Sequence, residues 1–206
     1  MVNQELVRLG ASGRMDRRDL TRALLADRGG LLVVAGLGAP AWDISAVDDG
    51  PQNFPLWGGM GGAAMIGLGL ASAQPERPVL VLTGDGEMLM GIGSLATIAH
   101  QAPRNLAIVV QDNEHYGETG MQETATRHGT DLVMMARGAG IQRTMFVTDP
   151  ADVPALRAAI HAGEGPFFAV VKIDPASLPL ALPPREGAIL QARMREHLLG
   201  AGAHLA

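Results

Sequence analysis

Residues 79–113 read VLVLTGDGEMLMGIGSLATIAHQAPRNLAIVVQDN. Residues 79–82 are apolar throughout, and so are residues 106–110. Short runs without polar alternation are strands buried on both faces, the condition of a parallel sheet. Between them, residues 88–101 read as an apolar helix. Strand, glycine turn, helix and strand make one parallel crossover unit. The same alternation continues outward. Upstream lie an amphipathic helix at 16–28, a strand at 31–35, a Pro- and Asp-rich loop at 37–57 and a small-residue helix at 61–74. Downstream lie a polar loop at 113–130, a helix at 131–138, a strand at 144–147, a helix at 151–162 and a strand at 167–173. A proline cluster (Pro179, Pro183, Pro184) and a helix near 188–199 follow. The expected fold is α/β, a parallel sheet with helices on both faces. The expected division is a loosely attached lead over 1–15, one domain over 16–178 and a tail over 179–206.

Composition fits that fold and excludes several functions. The chain has 206 residues, 47% of them apolar and 18% charged, with mean hydropathy +0.15. That is enough to fill the core of one ordinary domain. There are 27 glycines, roughly twice the usual ~7%. Cysteine is absent, so the chain offers no disulfide, iron–sulfur cluster, zinc knuckle or thiol nucleophile. Net charge is -5, from 16 basic and 21 acidic residues, which leaves no basic excess for nucleic acid. The N-terminal stretch lacks a signal-peptide core, and a cytoplasmic protein is expected. The uncharged run between Asp49 and Glu76 is long enough to raise a membrane span. Pro51, Gln52, Asn53, Pro55 and its many glycines instead favour a buried loop and helix.

Ligands of open parallel sheets bind at the carboxyl ends of the strands. Thr83-Gly84-Asp85-Gly86 stands at such an end. Its glycines let the backbone turn tightly and come close to a ligand. Amides at the start of the following helix favour an anion such as a diphosphate, and the Asp85 carboxylate beside it suits Mg²⁺. Alone, so short a motif reads first as a tight turn with a capping Asp. Asn113 ends the next strand and belongs beside Asp85 on the same sheet edge. An Asn oxygen with a nearby carbonyl completes a Mg²⁺ ligand set, and an Asx turn leaving the strand is the simpler alternative.

Taken together, Gly84-Asp85-Gly86 and the closing Asp112-Asn113 about thirty residues later resemble the thiamine diphosphate motif. Phe54-Pro55-Leu56-Trp57-Gly58-Gly59-Met60-Gly61, followed by a small-residue helix, is similar to the segment that family places before its motif. Residues 84–121 resemble most the smaller subunit of sulfopyruvate and phosphonopyruvate decarboxylases. The resemblance extends over roughly residues 16–175.

The resemblance implies roles residue by residue. Asp85, Asn113 and the His115 carbonyl would bind Mg²⁺. Gly84 and the amides of Gly86 and Glu87 would face the diphosphate, with Tyr116 and Gly117 in the loop beside it. Met60 would wedge between the two cofactor rings, and the Gly58 carbonyl, next to Gly59, would accept from the aminopyrimidine amine. Core packing is the alternative for Met60. Glu87 departs from the small residue usual after this motif. Its side chain must turn away from the diphosphate or cap the helix as an N-terminal acid. Met121 likewise replaces a glycine in Thr119-Gly120-Met121-Gln122.

The implied reaction is decarboxylation of a small 2-oxoacid to CO₂ and an aldehyde. The glutamate that activates the cofactor belongs, in that family, to a separate pyrimidine-binding domain, and one domain of this size has no room for it. A second subunit carrying that glutamate is expected, in a hetero-oligomer of at least two pairs, with this chain inactive alone. His115, Thr119, Gln122, Arg127 and His128 are candidates for a sulfonate or phosphonate, Arg best of all. Arg127 and His128 as plain solvated residues is the alternative. A carboligase subunit, a decarboxylase of ordinary 2-oxoacids and a non-catalytic nucleotide-binding subunit are the rival functions. Gly36-Leu37-Gly38 and Gly67-Leu68-Gly69 hint only weakly at the last, since neither opens a helix as a dinucleotide fingerprint.

Overall fold

The apolar runs assemble into a six-stranded sheet in a computed structural model, which describes residues 7–204. In chain order the elements are α1 (Arg17–Leu25), β1 (Leu32–Ala35), α2 (Ala39–Val47), β2 (Asn53–Pro55), α3 (Ala63–Ala73), β3 (Val79–Gly84), α4 (Asp85–Met90) and α5 (Ser94–Gln101). Then come β4 (Leu106–Asp112), the short strands β5 (His115–Tyr116) and β6 (Gln122–Glu123), α6 (Leu132–Gly138), β7 (Arg143–Val147), α7 (Val153–His161), β8 (Phe167–Lys172) and α8 (Gly187–Leu199). The sheet order is β2-β1-β3-β4-β8-β7, and every neighbouring pair is parallel. β5 and β6 form a separate antiparallel hairpin.

Alternate residues of each buried strand face opposite layers. Val33, Ala35, Leu80, Leu82, Val109 and Val171 pack with Leu20 and Leu24 of α1, Ile44 of α2 and Leu156 of α7. Leu32, Val34, Val81, Ile108, Val110 and Phe168 pack with Leu68 of α3, Ile98 of α5 and Ala136 of α6. Helices thus cover both faces, as the apolar strands require. β1 has β2 on one side and β3 on the other, so the strand order reverses there. The loops leaving β1 and β3 diverge at that point and open a crevice at the carboxyl ends.

Three elements differ from the sequence expectation. The stretch 37–57 is not all loop, because it holds α2 and β2. Pro40 lies in the first turn of α2, where its missing N–H costs nothing, and Ala41 and Ile44 are buried. β2 is a three-residue strand, too short to show a period. The helix expected over 88–101 is two helices, α4 starting at Asp85 and α5 at Ser94, broken across 91–93. A Cβ on Gly91 would run into the Gly61 carbonyl, so the break is where another loop touches the backbone.

The lead is not loose over its described part. Met15 is fully buried and bridges Leu9 and Ile173, and the Ser12 amide and hydroxyl donate to Asp174 at 2.8 and 2.7 Å. Residues 1–6 lie outside the described residues. The tail returns across the sheet, with Leu190 and Met194 of α8 buried and the Trp57 indole donating to the Pro184 carbonyl at 2.8 Å. The uncharged run between Asp49 and Glu76 forms β2, the glycine turn and α3. Among the described residues no helix is long and apolar enough to cross a membrane.

Candidate functional site

β3 and β4 are in register from Val79↔Leu106 to Gly84↔Gln111, so Asp85 and Asp112-Asn113 leave the sheet side by side. Asp85 opens α4 and is 1% exposed. Its Oδ2 accepts from the Thr124 hydroxyl and, at 3.1 Å, from the Thr126 hydroxyl. Thr126 bridges onward to Asp112 at 2.8 Å. Burial pushes Asp85 up to about 6, with the Thr124 hydroxyl opposing and the Asp112 carboxylate adding to the rise. Asp112 is compensated by Lys172, whose Nζ lies 2.6 Å from its Oδ2. Among the described residues no Lys, Arg or His pairs with Asp85.

The turn after β4 is held from several sides. The Asn113 side-chain oxygen accepts from the His115 amide at 2.9 Å, an Asx turn. Its second lone pair stays available to a ligand. Glu114 follows at φ +65, a left-handed conformation that costs a non-glycine residue energy. Lys172 at 2.8 Å, Arg14 at 3.0 Å and Arg127 at 3.1 Å close on its carboxylate. Burial alone would raise Glu114, but Lys172 and Arg14 override it and hold it down to about 2. The Thr124 amide donates to the Glu114 carbonyl at 2.9 Å, so the β5–β6 hairpin carries Thr124 and Thr126 onto Asp85. A Cβ on Gly86 would overlap the Tyr116 ring, which therefore lies on the first turn of α4.

A second loop faces the crevice from β2. Gly59 and Gly61 have φ of +67 and +94, and Met60 between them is 37% exposed. Met60 is therefore not the core residue that composition alone would make it. A Cβ on Gly58, Gly59 or Gly84 would meet no atom within 4 Å, so these backbones border open space. Gly61 joins this loop to α4 through the contact with Gly91.

Glu87 resolves the conflict raised by its position. Its side chain turns away from the helix start and is 3% exposed. Oε2 accepts from the Thr83 hydroxyl at 2.8 Å. Burial raises its pKa, opposed by Thr83 and by the amides of Ala63, Gly61 and Leu37. A Cβ on Gly36 would take the place of its carboxylate. The Glu87 carboxylate thus lies against Gly36, just after β1, and bonds to Thr83 of β3. Gly117 lies in the hairpin turn, with the Met121 sulfur 4.0 Å from where its Cβ would stand.

Of the candidates for a substrate anion, Thr119 and Gln122 bond to each other, and Arg127 and His128 pair with carboxylates. His115 Nδ1 stands 2.8 Å from the Asn113 carbonyl oxygen. Residues that sequence reasoning passed over are Asp112 and Glu114 as anions, Lys172, Arg14, Thr124 and Thr126. Lys172 carried a signal, as the single lysine of the chain at the end of an apolar strand.

These residues fit a divalent cation with a diphosphate. Asp85, a buried carboxylate without a cation partner among the described residues, leaves the sheet at the same edge as Asn113, and glycine backbone borders open space. The profile of the thiamine pyrophosphate enzyme C-terminal TPP-binding domain matches residues 44–171. The chain belongs to this family. In this thiamine pyrophosphate-binding domain, both the glycine turn at 58–61 and the motif from Gly84 to Asn113 lie inside the matched span. A sulfopyruvate decarboxylase subunit beta of Methanothermobacter thermautotrophicus is 42% identical over 146 residues, 71% of this chain and 75% of that one. A phosphonopyruvate decarboxylase of Streptomyces viridochromogenes is 38% identical over 146 residues, 71% of this chain but 36% of the relative. The crystal structure of benzoylformate decarboxylase from Polynucleobacter necessarius shares the fold, with TM-score 0.67 at 18% identity, over 85% of this chain and 36% of that one. The chain thus spans most of the first relative and about a third of the other two.

Proposed function

We propose that this chain is the diphosphate- and metal-binding subunit of a two-chain, cytoplasmic decarboxylase of sulfopyruvate or phosphonopyruvate. The observation that carries this reading is Asp85, a buried carboxylate at the carboxyl end of β3 that among the described residues has no cation partner, next to the Gly84 backbone that borders open space. Lys172 neutralises Asp112 next to it but leaves Asp85 for a metal. The sulfopyruvate and phosphonopyruvate decarboxylases at 42% and 38% identity support the substrate class.

Bound thiamine diphosphate supplies the electron sink that lets a 2-oxoacid lose CO₂. Asp85, Asn113 and the His115 carbonyl would hold Mg²⁺, and the Gly84, Gly86 and Glu87 backbone would face the diphosphate, with Tyr116 and Gly117 beside it. Met60, exposed between two left-handed glycines, would wedge between the two cofactor rings, and the Gly58 carbonyl would accept from the aminopyrimidine amine. Gly59 leaves room for that approach. Glu87 is buried against Thr83 and loop amides, so it is not offered to the cofactor. On this reading the activating glutamate comes from a pyrimidine-binding partner chain, in a hetero-oligomer of at least two pairs. The relative named as a beta subunit supports a second chain.

Calorimetric titration of the reconstituted pair with thiamine diphosphate tests this. Binding should require Mg²⁺ and be lost in Asp85→Ala. Binding that is indifferent to Mg²⁺ and to Asp85 would reject the site. Binding of NAD in its place would favour the nucleotide-binding alternative, and carboligation without aldehyde release the carboligase.

A further inference from the structure

A sulfonate or phosphonate spreads its charge over three oxygens, which a guanidinium meets in pairs. The basic residues of the loop after β4 do not offer one. Arg127 lies 3.1 Å from Glu114 and 3.6 Å from Glu123, and His128 lies 3.0 Å from Glu123. Arg14 and Lys172 close on Glu114. Arg77 and Arg104 precede β3 and β4, and Arg137 ends α6 ahead of β7, so all three stand at the amino ends of the strands, away from the crevice.

Arg185 differs from all of these. It is exposed, and among the described residues it has no carboxylate partner. Its guanidinium carbon lies 5.8 Å from the centroid of the Trp57 ring. Trp57 immediately precedes Gly58-Gly59-Met60, the turn that faces the crevice. The Trp57 indole donates to the Pro184 carbonyl at 2.8 Å, so the residue before Arg185 is fastened to the residue before Gly58. The other aromatic neighbour of Trp57 is Trp42, with ring centroids 5.0 Å apart. Trp42 in turn donates to Glu118 at 3.1 Å, in the loop after β4. An indole pair therefore joins the tail, the glycine turn and the site loop, and it holds an uncompensated guanidinium at their junction.

We propose that Arg185 is the specificity-determining residue of this chain, and that it binds the sulfonate or phosphonate of the substrate while Trp57 positions it. This rests on the decarboxylase reading above. The tail beyond Pro184 thereby contributes to the site as well as covering the sheet.

The experiment compares wild type, Arg185→Gln and Arg185→Lys in the pair reconstituted with its pyrimidine-binding chain. Sulfopyruvate, phosphonopyruvate and pyruvate serve as substrates, and 3-sulfopropionate as a non-reacting probe in calorimetry. Arg185→Gln should lower kcat/KM for sulfopyruvate roughly 10- to 100-fold, through KM, the range set by losing charge-assisted hydrogen bonds. Pyruvate turnover and thiamine diphosphate affinity should stay within about 3-fold, well under the range for such a bond. The probe should bind more weakly to Arg185→Gln by a similar factor, and Arg185→Lys should recover part of both losses. Equal losses on the two substrates, or none on sulfopyruvate while wild type prefers it, would overturn the assignment to Arg185 alone. A wild-type pair with no preference for sulfopyruvate or phosphonopyruvate would overturn the substrate reading and Arg185 with it.

Discussion

Lys172 stands directly opposite Asp112 in the neighbouring strand, and its ammonium lies 2.6 Å from the Asp112 carboxylate and 2.8 Å from Glu114. One cation therefore grips the residues on both sides of Asn113, across a turn whose Glu114 sits at φ +65. Without it, two neighbouring buried carboxylates repel and the strained turn loses its main restraint.

Lys172→Met should weaken binding of Mg²⁺ and thiamine diphosphate to the reconstituted pair by about 10-fold or more, as loss of a partner behind metal ligands does. Calorimetry measures this directly. Lys172→Arg should recover part of the affinity. Unchanged affinity in the Met variant would show that the turn holds itself.

Glu87 packs a buried carboxylate against Gly36 and Thr83. Glu87→Ala should cost about 2–3 kcal/mol, because the Thr83 hydroxyl loses its buried acceptor and the side chain leaves a void. Glu87→Gln keeps an acceptor and the shape, and burial already disfavours the charge, so it should cost less than about 1 kcal/mol. Denaturant unfolding of the two variants decides. Equal costs would mean the negative charge itself holds the loops.

The Gly61–Gly91 contact predicts a contrast between Gly91 and Gly93, two residues apart. Gly91→Ala drives a Cβ into the Gly61 carbonyl and should cost about 1–3 kcal/mol, moving the Met60 turn. Gly93→Ala meets nothing within 4 Å and should be neutral or slightly stabilising. Thermal unfolding of both variants tests the pair.

The lead has its own pH dependence. The Ser12 hydroxyl and amide hold Asp174 below the usual carboxylate range, burial opposing. A lowered folded-state pKa gives stability that is present above the unfolded value, ~3.9, and lost as pH falls through the folded value. Exchange protection of the Ser12 amide should therefore be intact at pH 6 and fall below about pH 4. Protection that is unchanged at low pH would contradict the role of Asp174.

The sheet was legible because each central strand is apolar on both faces, and because Gly84-Asp85-Gly86 and Asp112-Asn113 mark where two of them end. α2 was not, since Pro40 and Asp43 look like loop residues until their neighbours are seen. Pro40 fills a first turn, and the buried Asp43 pairs with Arg17 at 2.8 Å and Arg18 at 3.0 Å from α1. The break at 91–93 was hidden because it answers a glycine thirty residues earlier. Asp85 and Asn113 could be picked out by motif, but their supports could not. Thr124, Thr126, Lys172 and Arg14 come from elements that only the sheet order brings to one edge. Arg127 shows the converse, a cation that the sequence offers to a substrate and that Glu114 and Glu123 hold instead.

The central claim is that this chain contributes half of an active site. It is tested most directly by CO₂ release from sulfopyruvate, with Mg²⁺ and thiamine diphosphate, by the purified chain alone and after mixing with its pyrimidine-binding partner. The lone chain should release none above background, and mixing should produce steady turnover that Asp85→Ala abolishes. Equal turnover by the lone chain and the mixture would contradict the account.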